Sequence, residues 1–375
     1  MIIGVPKEIK NNEYRVGLVP SSVRELIHHG HQVLVEAGAG LGIGIHDEDY
    51  TIAGAKIIAQ HEDVFAQAEM IVKVKEPQPR EIKLLQPGQL LFTFLHLAAD
   101  HEQTQGLIDS GCIAIAYETV TSAKGGLPLL MPMSEVAGRM SIQVGAHCLE
   151  KETGGSGVLL SGVPGVKPGN VTILGGGIVG TNAARIAIGL GANVTILDKS
   201  IHRLTELDTI FGGSIRTLYA TIEAIETCVI ESDLVIGAVL VPGAVTPKLV
   251  TEEMIKKMRT GSVLVDVAID QGGCFETSRP TTFAHPTYIE HGVVHYCVTN
   301  MPGAVARTST FALNNSTLPF VLDLASKGYR TALLEDPYLR EGLNVFKGNI
   351  TYQAVARDLG FAFVEAMELL NMQAA

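Results

Sequence analysis

Several classes of protein are excluded by what this 375-residue sequence lacks. It has no tryptophan and only 5% aromatic residues, too few for the stacking surfaces that bind single-stranded nucleic acids. Charged residues make up 18% of the chain and the net charge is −11, with no basic run to meet a phosphate backbone. Hydrophobic residues make up 46%, which excludes intrinsic disorder. We therefore expect a globular protein with no nucleic-acid partner.

Cysteine, histidine and long apolar runs are also sparse or poorly spaced. The five cysteines never stand in C-x-x-C spacing, which argues against disulfides or a cysteine zinc site and favours a reducing compartment (Cys112, Cys148, Cys228, Cys274 and Cys297). The histidines show no ligand spacing such as H-E-x-x-H, so we expect no catalytic metal. No signal-like start is visible, and no apolar run approaches the roughly 20 residues that span a bilayer. We expect a cytoplasmic protein with no membrane partner.

The amino-terminal part alternates short apolar segments with helix-length connections. A first helix is predicted at about 22–29, with Ser22 and Glu25 spaced as a capping box. Strands separated by helices indicate a mostly parallel sheet covered on both faces. The predicted strands lie near residues 2–5, 32–36, 56–58, 70–75, 90–95 and 113–117.

A long helix is predicted at 134–152, beginning at a possible N-cap Ser134 and connecting two domains. A second strand–helix series follows at 171–300. After residue 306 the sequence predicts helices without strands of their own, which we expect to return to the first domain (309–327, 350–359 and 361–370). The predicted domains are therefore 1–130 together with 307–375, and 131–306.

The second series opens with a dinucleotide-binding pattern. A buried strand at 171–174 leads into Gly175-x-Gly177-x-x-Gly180, a helix, and a second strand that ends at Asp198. The first glycine permits the tight turn, the second lets the backbone approach a pyrophosphate, and the third lets helix and strand pack closely. Glycine turns without a ligand also exist, but here all four elements stand in order. Asp198 would repel a 2′-phosphate, which favours NAD over NADP, although Lys199 and Arg203 lie nearby.

Ligands in such sheets bind beyond the carboxyl ends of the strands. Three strands predicted after the glycine turn are 234–241, 262–267 and 295–298. Asp270 follows the second of these, where position alone fits a cofactor-side carboxylate and a turn-capping aspartate equally well. Asn300 follows the third.

Three positions in the first half carry candidate substrate or proton-transfer groups. Lys73 and Lys75 alternate on one predicted strand, for which pattern alone favours a solvated edge. Arg15 could bind a carboxylate through two parallel hydrogen bonds, although an ordinary surface arginine is the simpler interpretation. His96 interrupts an apolar strand near its end; it is either a hydrogen-bonded core histidine or a general acid/base.

The chain resembles the alanine dehydrogenase family, which includes the NAD-binding subunit of proton-translocating transhydrogenase. GVPKEIKNNEYRVGLVP at 4–20, ILGGGIVGTNAARIAIGLGANVTILD at 173–198 and TNMPGAV at 299–305 are similar to that family's motifs. The resemblance extends over essentially the whole chain. It implies an α/β fold of two domains, a Rossmann-type NAD-binding domain and a second Rossmann-like, parallel-sheet catalytic domain. It also implies a homohexamer.

The resemblance implies that Arg15 and Lys75 hold the carboxylate and keto oxygen of pyruvate, with Asn300 nearby, and that His96 and Asp270 are the catalytic pair. Together with the glycine motif and the strand ends, it predicts a cofactor site. This site comprises Ser134, Gly175, Gly177, Ile178, Val179, Gly180, Asp198, Arg203, Val239, Leu240, Val267, Asp270, Val298, Asn300 and Met301.

The expected reaction is the reversible, NAD-dependent oxidative deamination of L-alanine to pyruvate and ammonium. One alternative is the NAD-binding subunit of a transhydrogenase, but the segment LPLLMPMSEVAG at 127–138 lacks the arginine and glutamine of that subunit, and His96 favours the dehydrogenase. A second is an NAD-binding sensor without catalysis, since binding alone requires no chemistry. A third is a dehydrogenase for a longer amino acid. For the dehydrogenase we expect the two domains to meet over the nicotinamide.

Overall fold

The protein divides into two compact units, each built around its own β-sheet. The structure, a computed structural model, describes residues 1–239 and 246–372. Unit 1 comprises Met1–Met133 and Val305–Ala375, and unit 2 comprises Ser134–Ala304. The chain thus leaves unit 1 once and returns to it.

The amino-terminal part of unit 1 alternates strands with helices. Helix α1 begins at Pro20 and has Val19 as its N-cap, without a side-chain cap. The predicted capping box of Ser22 and Glu25 is therefore wrong, because a proline in the first turn already has helical φ and no N–H to satisfy. The elements are β1 Ile2–Val5, α1 Pro20–His28, β2 Gln32–Glu36, α2 Asp47–Ile52, β3 Lys56–Ile58, α3 His61–Gln67, β4 Met70–Val72, α4 Pro79–Ile82, β5 Leu90–Thr93, α5 His101–Ser110 and β6 Ile113–Ala116.

Unit 2 begins within a long helix and continues with a second alternating series. The helix starts at Met131, so Ser134 lies inside it rather than at its N-cap, and this prediction is wrong. The elements are α6 Met131–Cys148, β7 Asn170–Leu174, α7 Ile178–Gly189, β8 Asn193–Asp198, α8 Ile201–Phe211, β9 Arg216–Tyr219, α9 Ile222–Glu231, β10 Leu234–Gly237, α10 Glu252–Lys256, β11 Val263–Asp266, β12 Thr287–Glu290 and β13 Val293–Tyr296.

The carboxyl-terminal part of unit 1 contains two strands that the sequence did not predict. Strand β14 pairs antiparallel with β6, and β15 pairs antiparallel with β14. The expectation of helices alone is wrong, because these strands are short and gain their partners only in the fold. The elements are α11 Ala306–Lys327, α12 Tyr329–Glu335, α13 Pro337–Arg340, β14 Leu343–Phe346, β15 Asn349–Ile350, α14 Gln353–Leu359 and α15 Ala366–Met372.

Both sheets are mostly parallel. Within the described residues, the order in unit 1 is β15-β14-β6-β5-β4-β1-β2-β3, and the order in unit 2 is β12-β13-β11-β10-β7-β8-β9. All neighbouring pairs are parallel except those made by β14, β15 and β12. The expected α/β fold with two mostly parallel sheets is confirmed.

The sheet of unit 1 is buried on both faces. Alternate residues of one strand enter different apolar clusters: Met70 and Val72 pack into one cluster, and Ile71 packs into the other. A strand buried on both sides has no polar face, which explains the near-continuous hydrophobic runs in the sequence. Such a sheet presents its functional groups at the strand ends.

No helix of the described ranges 1–239 and 246–372 is long and apolar enough to cross a membrane.

Candidate active site

The glycine-rich turn of unit 2 connects β7 to α7. Gly175 has a φ of +99°, and a Cβ there would lie 2.8 Å from the carbonyl oxygen of Ala238. A Cβ on Gly180 would lie 1.9 Å from the carbonyl oxygen of Gly175, so only glycine lets helix and strand come this close. A Cβ on Gly177 would meet open space. Gly177 is also the N-cap of the 12-residue helix α7, whose free N–H groups and partial positive charge suit a pyrophosphate.

The carboxylate of Asp198, at the end of β8, is held beside this turn. One oxygen, Oδ2, accepts a hydrogen bond from the Gly176 N–H at 2.7 Å, and Oδ1 accepts one from the Ser200 N–H at 2.8 Å. Strands β7 and β8 are parallel neighbours, so the turn after one strand lies beside the end of the other. The carboxylate is therefore oriented by the backbone at the position where it can bond a ribose.

Arg203 supports the turn from helix α8. Its Nε donates to the carbonyl oxygen of Gly176 at 2.6 Å, and its Nη2 donates to Oγ1 of Thr181 at 2.7 Å. Its Nη1 donates to Oε2 of Glu206 at 2.6 Å. All three guanidinium nitrogens thus have partners within unit 2.

The remaining predicted cofactor residues of unit 2 follow strand ends or lie on α6. Val239 lies two residues beyond β10, and Leu240 lies outside the described residues. Val267 begins a 3-10 turn, Val267–Gln271, directly after β11. Val298 and Met301 are buried beyond β13, and Asn300 has a φ of +57°. Because β10, β11 and β13 are parallel neighbours, these segments share one edge of the sheet. Ser134 is half-buried in α6.

Two aspartates lie near the end of β11, one as its last residue and one beyond it, and their surroundings differ. Asp266 ends the strand and is fully buried, accepting hydrogen bonds from Oγ of Ser278 at 2.5 Å and from the Cys274 N–H at 2.9 Å. Burial raises the pKa of Asp266, although these hydrogen bonds oppose the shift. Asp270 lies beyond the strand, in the 3-10 turn, and is exposed. Asp266 is therefore a structural group, whereas Asp270 is accessible at the ligand-binding edge.

In unit 1, Arg15 is not the ordinary surface residue that pattern alone favours. It is 2% exposed and forms a bidentate salt bridge with Glu13. Oε1 of Glu13 lies 2.7 Å from Nε of Arg15, and Oε2 lies 2.6 Å from Nη2. Nη1 lies 3.1 Å from the sulfur of Met133. Burial opposes ionisation of Glu13, but the hydrogen bonds and charge of Arg15, with the charge of Lys75, hold the pKa of this carboxyl below its ordinary value. Arg15 and Lys75 thus lie near one carboxylate.

The two lysines after β4 occupy different environments. The predicted solvated edge strand is wrong, because β4 lies between β1 and β5 and Lys73 is fully buried. Nζ of Lys73 lies 3.0 Å from Oε2 of Glu8 and 2.7 Å from Oε1 of Glu81. Lys75 is half-buried, and its backbone N–H donates to Oε1 of Glu8 at 3.3 Å. Lys73 therefore balances buried carboxylates, whereas Lys75 is the candidate for substrate.

His96 lies three residues beyond β5, and its side chain is 48% exposed. The alternative of a core histidine is therefore wrong. Its backbone has a φ of +53°, a left-handed conformation that is uncommon for residues other than glycine. Oε1 of Glu118 accepts hydrogen bonds from the N–H groups of His96 at 2.6 Å and Leu95 at 3.1 Å, and the ring of His96 stacks on Phe94. Backbone strain held in this way is common at functional sites.

The carboxylates that hold the candidate side chains could not be identified from sequence spacing alone. Glu13 stands two residues before Arg15, so the segment NNEYR offered a local signal for that pair. Glu8 and Glu118 are far along the chain from the residues whose backbone they fix, and Glu206 resembles any exposed helical glutamate. These contacts join residues that are distant in the chain or carry no distinguishing local pattern, so they are evident only in the tertiary structure.

Among residues 1–239 and 246–372, no group of three or more histidine, cysteine, aspartate or glutamate side chains is arranged to hold a metal ion.

These features define a class of protein. Unit 2 combines a glycine turn at a helix N-terminus with an acidic residue at the end of the next strand, which is the arrangement of dinucleotide-binding α/β proteins. Unit 1 carries a buried Arg15 in the connection between β1 and α1, and Lys75 and an exposed imidazole beyond the ends of β4 and β5. The class is therefore a dinucleotide-binding α/β protein with a second, similarly built unit.

Comparisons with known proteins give the family. Residues 4–137 match the model "Alanine dehydrogenase/PNT, N-terminal domain", and residues 141–353 match "Alanine dehydrogenase/PNT, C-terminal domain". An alanine dehydrogenase of Halomonas elongata is 60% identical over 371 residues, which are 99% of this chain and 100% of that protein. The chain belongs to the alanine dehydrogenase/PNT family, and the family expected from the sequence is confirmed.

Solved structures agree with this assignment. The structure of an L-alanine dehydrogenase is 56% identical, with a TM-score of 0.94, covering 96% of this chain and 99% of that chain. The structure of a transhydrogenase from Sinorhizobium meliloti is 23% identical, with a TM-score of 0.82, covering 94% and 100%. At that identity the second likeness shows a shared fold alone.

Proposed function

We propose that the protein catalyses the reversible, NAD-dependent oxidative deamination of L-alanine to pyruvate and ammonium. The single observation that carries the enzyme class is the full-length identity of 60% to an alanine dehydrogenase. The candidate side chains expected for this chemistry are all present in the fold. The coenzyme, the residue roles and the assembly are the finer parts of the proposal.

The residues of unit 2 fit a dinucleotide. Gly177 opens onto space that a side chain would fill, directly at the N-terminus of α7. Asp198 is oriented beside the same turn and carries a negative charge that disfavours a 2′-phosphate. We therefore propose NAD as the coenzyme, bound by the turn Gly175–Gly180, by Asp198, Arg203 and Ser134, and by the segments that follow β10, β11 and β13. When bound, it supplies the hydride acceptor.

Unit 1 is the proposed substrate domain. The guanidinium of Arg15, held by Glu13, binds the carboxylate of alanine or pyruvate, and Asn300 is a further proposed substrate-binding residue. Lys75 lies beside the substrate oxygen and stabilises the negative charge that develops there. Positioning of this kind can lower a barrier by up to about 7–11 kcal/mol. A pre-oriented Arg15 contributes because little of its freedom is lost on binding.

His96 and Asp270 are the proposed proton-transfer groups. After hydride loss from Cα, water adds to the iminium and the carbinolamine collapses, and these two steps require proton transfers. Both side chains are exposed, as a group that must reach a substrate requires. The left-handed backbone of His96, fixed by Glu118, gives its ring a defined direction.

The test of the proposal measures turnover with alanine and NAD⁺. His96→Ala and Asp270→Asn should each lower kcat by at least about 100-fold, the low end of general acid–base effects. Asp266→Asn is the informative comparison, since that buried aspartate should affect stability first. Turnover near that of the unchanged enzyme in either active-site variant would remove that residue from the mechanism. No NAD⁺ reduction by the unchanged protein would reject the function itself.

We further propose a cytoplasmic homohexamer. Its support is family resemblance, together with five scattered cysteines of which none is disulfide-bonded in the described residues, as suits a reducing compartment. Light scattering of the purified protein would measure the mass, and a monomer or dimer would contradict the proposed assembly.

A further inference from the structure

Arg203 is joined to a carboxylate that has no place in the proposed chemistry. Nη1 of Arg203 lies 2.6 Å from Oε2 of Glu206, one turn further along α8. Nδ1 of His202 lies 3.5 Å from the other oxygen of Glu206. The hydrogen bond from Arg203 lowers the pKa of Glu206, so this group is a carboxylate at neutral pH. A charged pair therefore stands at the start of α8.

Arg203 and Glu206 lie beside Asp198, the proposed ligand of the adenine ribose. The 2′ position of that ribose carries a phosphate in NADP and a hydroxyl in NAD. Arg203 donates to the carbonyl oxygen of Gly176, and Asp198 accepts from the N–H of the same residue. A Cβ on Gly176 would lie 3.3 Å from Oδ2 of Asp198 and 3.5 Å from Cγ of Arg203. The arginine that could neutralise a 2′-phosphate is thus adjacent to the carboxylate that bonds the ribose.

The array Asp198–Arg203–Glu206 carries two negative charges and one positive charge. A 2′-phosphate would bring about two further negative charges next to Asp198. Each Nη of arginine carries two N–H groups, so a 2′-phosphate could still reach Arg203, but it would share the guanidinium charge with Glu206, which already accepts from Nη1. Removing the charge of Asp198 alone therefore leaves an arginine that is already neutralised.

We propose that Glu206 is a second determinant of coenzyme choice, which acts by neutralising Arg203 and so weakening its attraction for a 2′-phosphate. This inference rests on the proposed function, because it assumes that Asp198 bonds the ribose of NAD. Glu206 does not touch the reacting atoms; it sets specificity through Arg203. Asp198 and Glu206 should consequently act in combination.

The experiment is a double-mutant cycle on the full-length protein. NADH and NADPH are titrated by calorimetry into the unchanged protein, Asp198→Asn, Glu206→Gln and the double variant. Both substitutions remove a charge and retain an oxygen that accepts a hydrogen bond, so the turn and Arg203 keep a partner. The measured quantity is the ratio of NADPH to NADH affinity. Partial unfolding would lower both affinities by the same factor and leave this ratio unchanged.

The double variant should raise this ratio by roughly five- to tenfold more than the product of the two single effects, the size of one partly exposed charge-assisted contact. The extra gain should shrink at high salt, because it arises from a screened charge. Glu226→Gln is the matched control, since Glu226 is another helical glutamate of unit 2 but pairs with Lys257; it should leave the ratio unchanged.

Two results would overturn the inference. If the affinity ratio of the double variant equalled the product of the two single effects, Glu206 would not weaken the attraction of Arg203 for a 2′-phosphate. If Glu206→Gln lost NADH and NADPH affinity equally, Glu206 would only support the turn. Failure of the proposed function is a separate outcome. In that case the unchanged protein would not bind NADH, or Asp198→Asn would leave NADH binding unaltered.

Discussion

The two units each contain an array of charged side chains, but the two arrays differ in burial. In unit 1, Lys73 and Glu81 are fully buried, and Glu8 and His61 are nearly so. In unit 2, the Arg203 and Glu206 side chains are 29% and 42% exposed. The first array is shielded from solvent, whereas the second is partly solvent-exposed.

This difference separates structural charges from selective ones. A buried ion must be neutralised by its neighbours, so removing one partner leaves a charge with a large desolvation cost. A partly exposed pair is screened and contributes little to stability, but it can still decide which charged ligand binds. We therefore expect substitutions in the buried array of unit 1 to change folding and those in the partly exposed array of unit 2 to change coenzyme choice.

The largest effect on stability is expected for Lys73→Met. This change leaves Glu8 and Glu81 without their shared cation, and breaking a buried pair in this way typically costs about 3–5 kcal/mol. Urea unfolding followed by circular dichroism measures the change. Lys75→Met is the matched control: it should lose much less stability, yet lower kcat/KM for pyruvate. Equal stability loss at the two positions would mean that burial does not distinguish the two lysines.

A smaller, pH-dependent effect is expected for His61→Gln. Burial alone would lower the pKa of His61, but hydrogen bonds to Glu36 and Glu81 raise it to about 9. Because this lies above the ordinary value of 6.5, the protonated ring stabilises the fold fully below about pH 6.5, and the contribution is lost as the pH rises through 9. The shift corresponds to up to about 3 kcal/mol.

The measurement compares the free energy of unfolding of His61→Gln and the unchanged protein across this range. The difference should be largest at about pH 6 and should fall towards zero by about pH 10. His147→Gln, which changes a histidine that is exposed, is the matched control and should cost little stability. A difference for His61→Gln that is constant with pH would mean that the ring is not charged in the fold.

The smallest effect on stability is expected for Asp198→Ala in unit 2. The change removes two hydrogen bonds to backbone N–H groups, which contribute about 1 kcal/mol each or less at this half-buried site. Its main effect should be a higher KM for NAD⁺ and weaker discrimination against NADP⁺, measured by steady-state kinetics. If coenzyme kinetics stayed unchanged while stability fell sharply, the charged groups of unit 2 would serve folding, as those of unit 1 do, rather than coenzyme choice.

The strand–helix order and the glycine turn could be predicted because their signals are local. The motif Gly175–Gly180 requires particular backbone geometry, and only glycine satisfies it at the close contact of Gly180 with Gly175. Boundaries were less accurate: α6 begins at Met131 rather than Ser134, and β4 ends at Val72 rather than at residue 75. Strand ends depend on where a neighbouring strand stops, which no local pattern records.

The amino-acid sequence by itself determined the α/β class, the dinucleotide turn and the identities of the candidate side chains, because hydrophobic period and glycine geometry act over a few residues. Only the tertiary structure decided which cations are buried and which carboxylates hold them. Glu8 reaches Nζ of Lys73, and Glu118 reaches the backbone N–H of His96, from segments that follow separate strands. Residues so far apart in the chain come within hydrogen-bond distance only when the strands pair into a sheet.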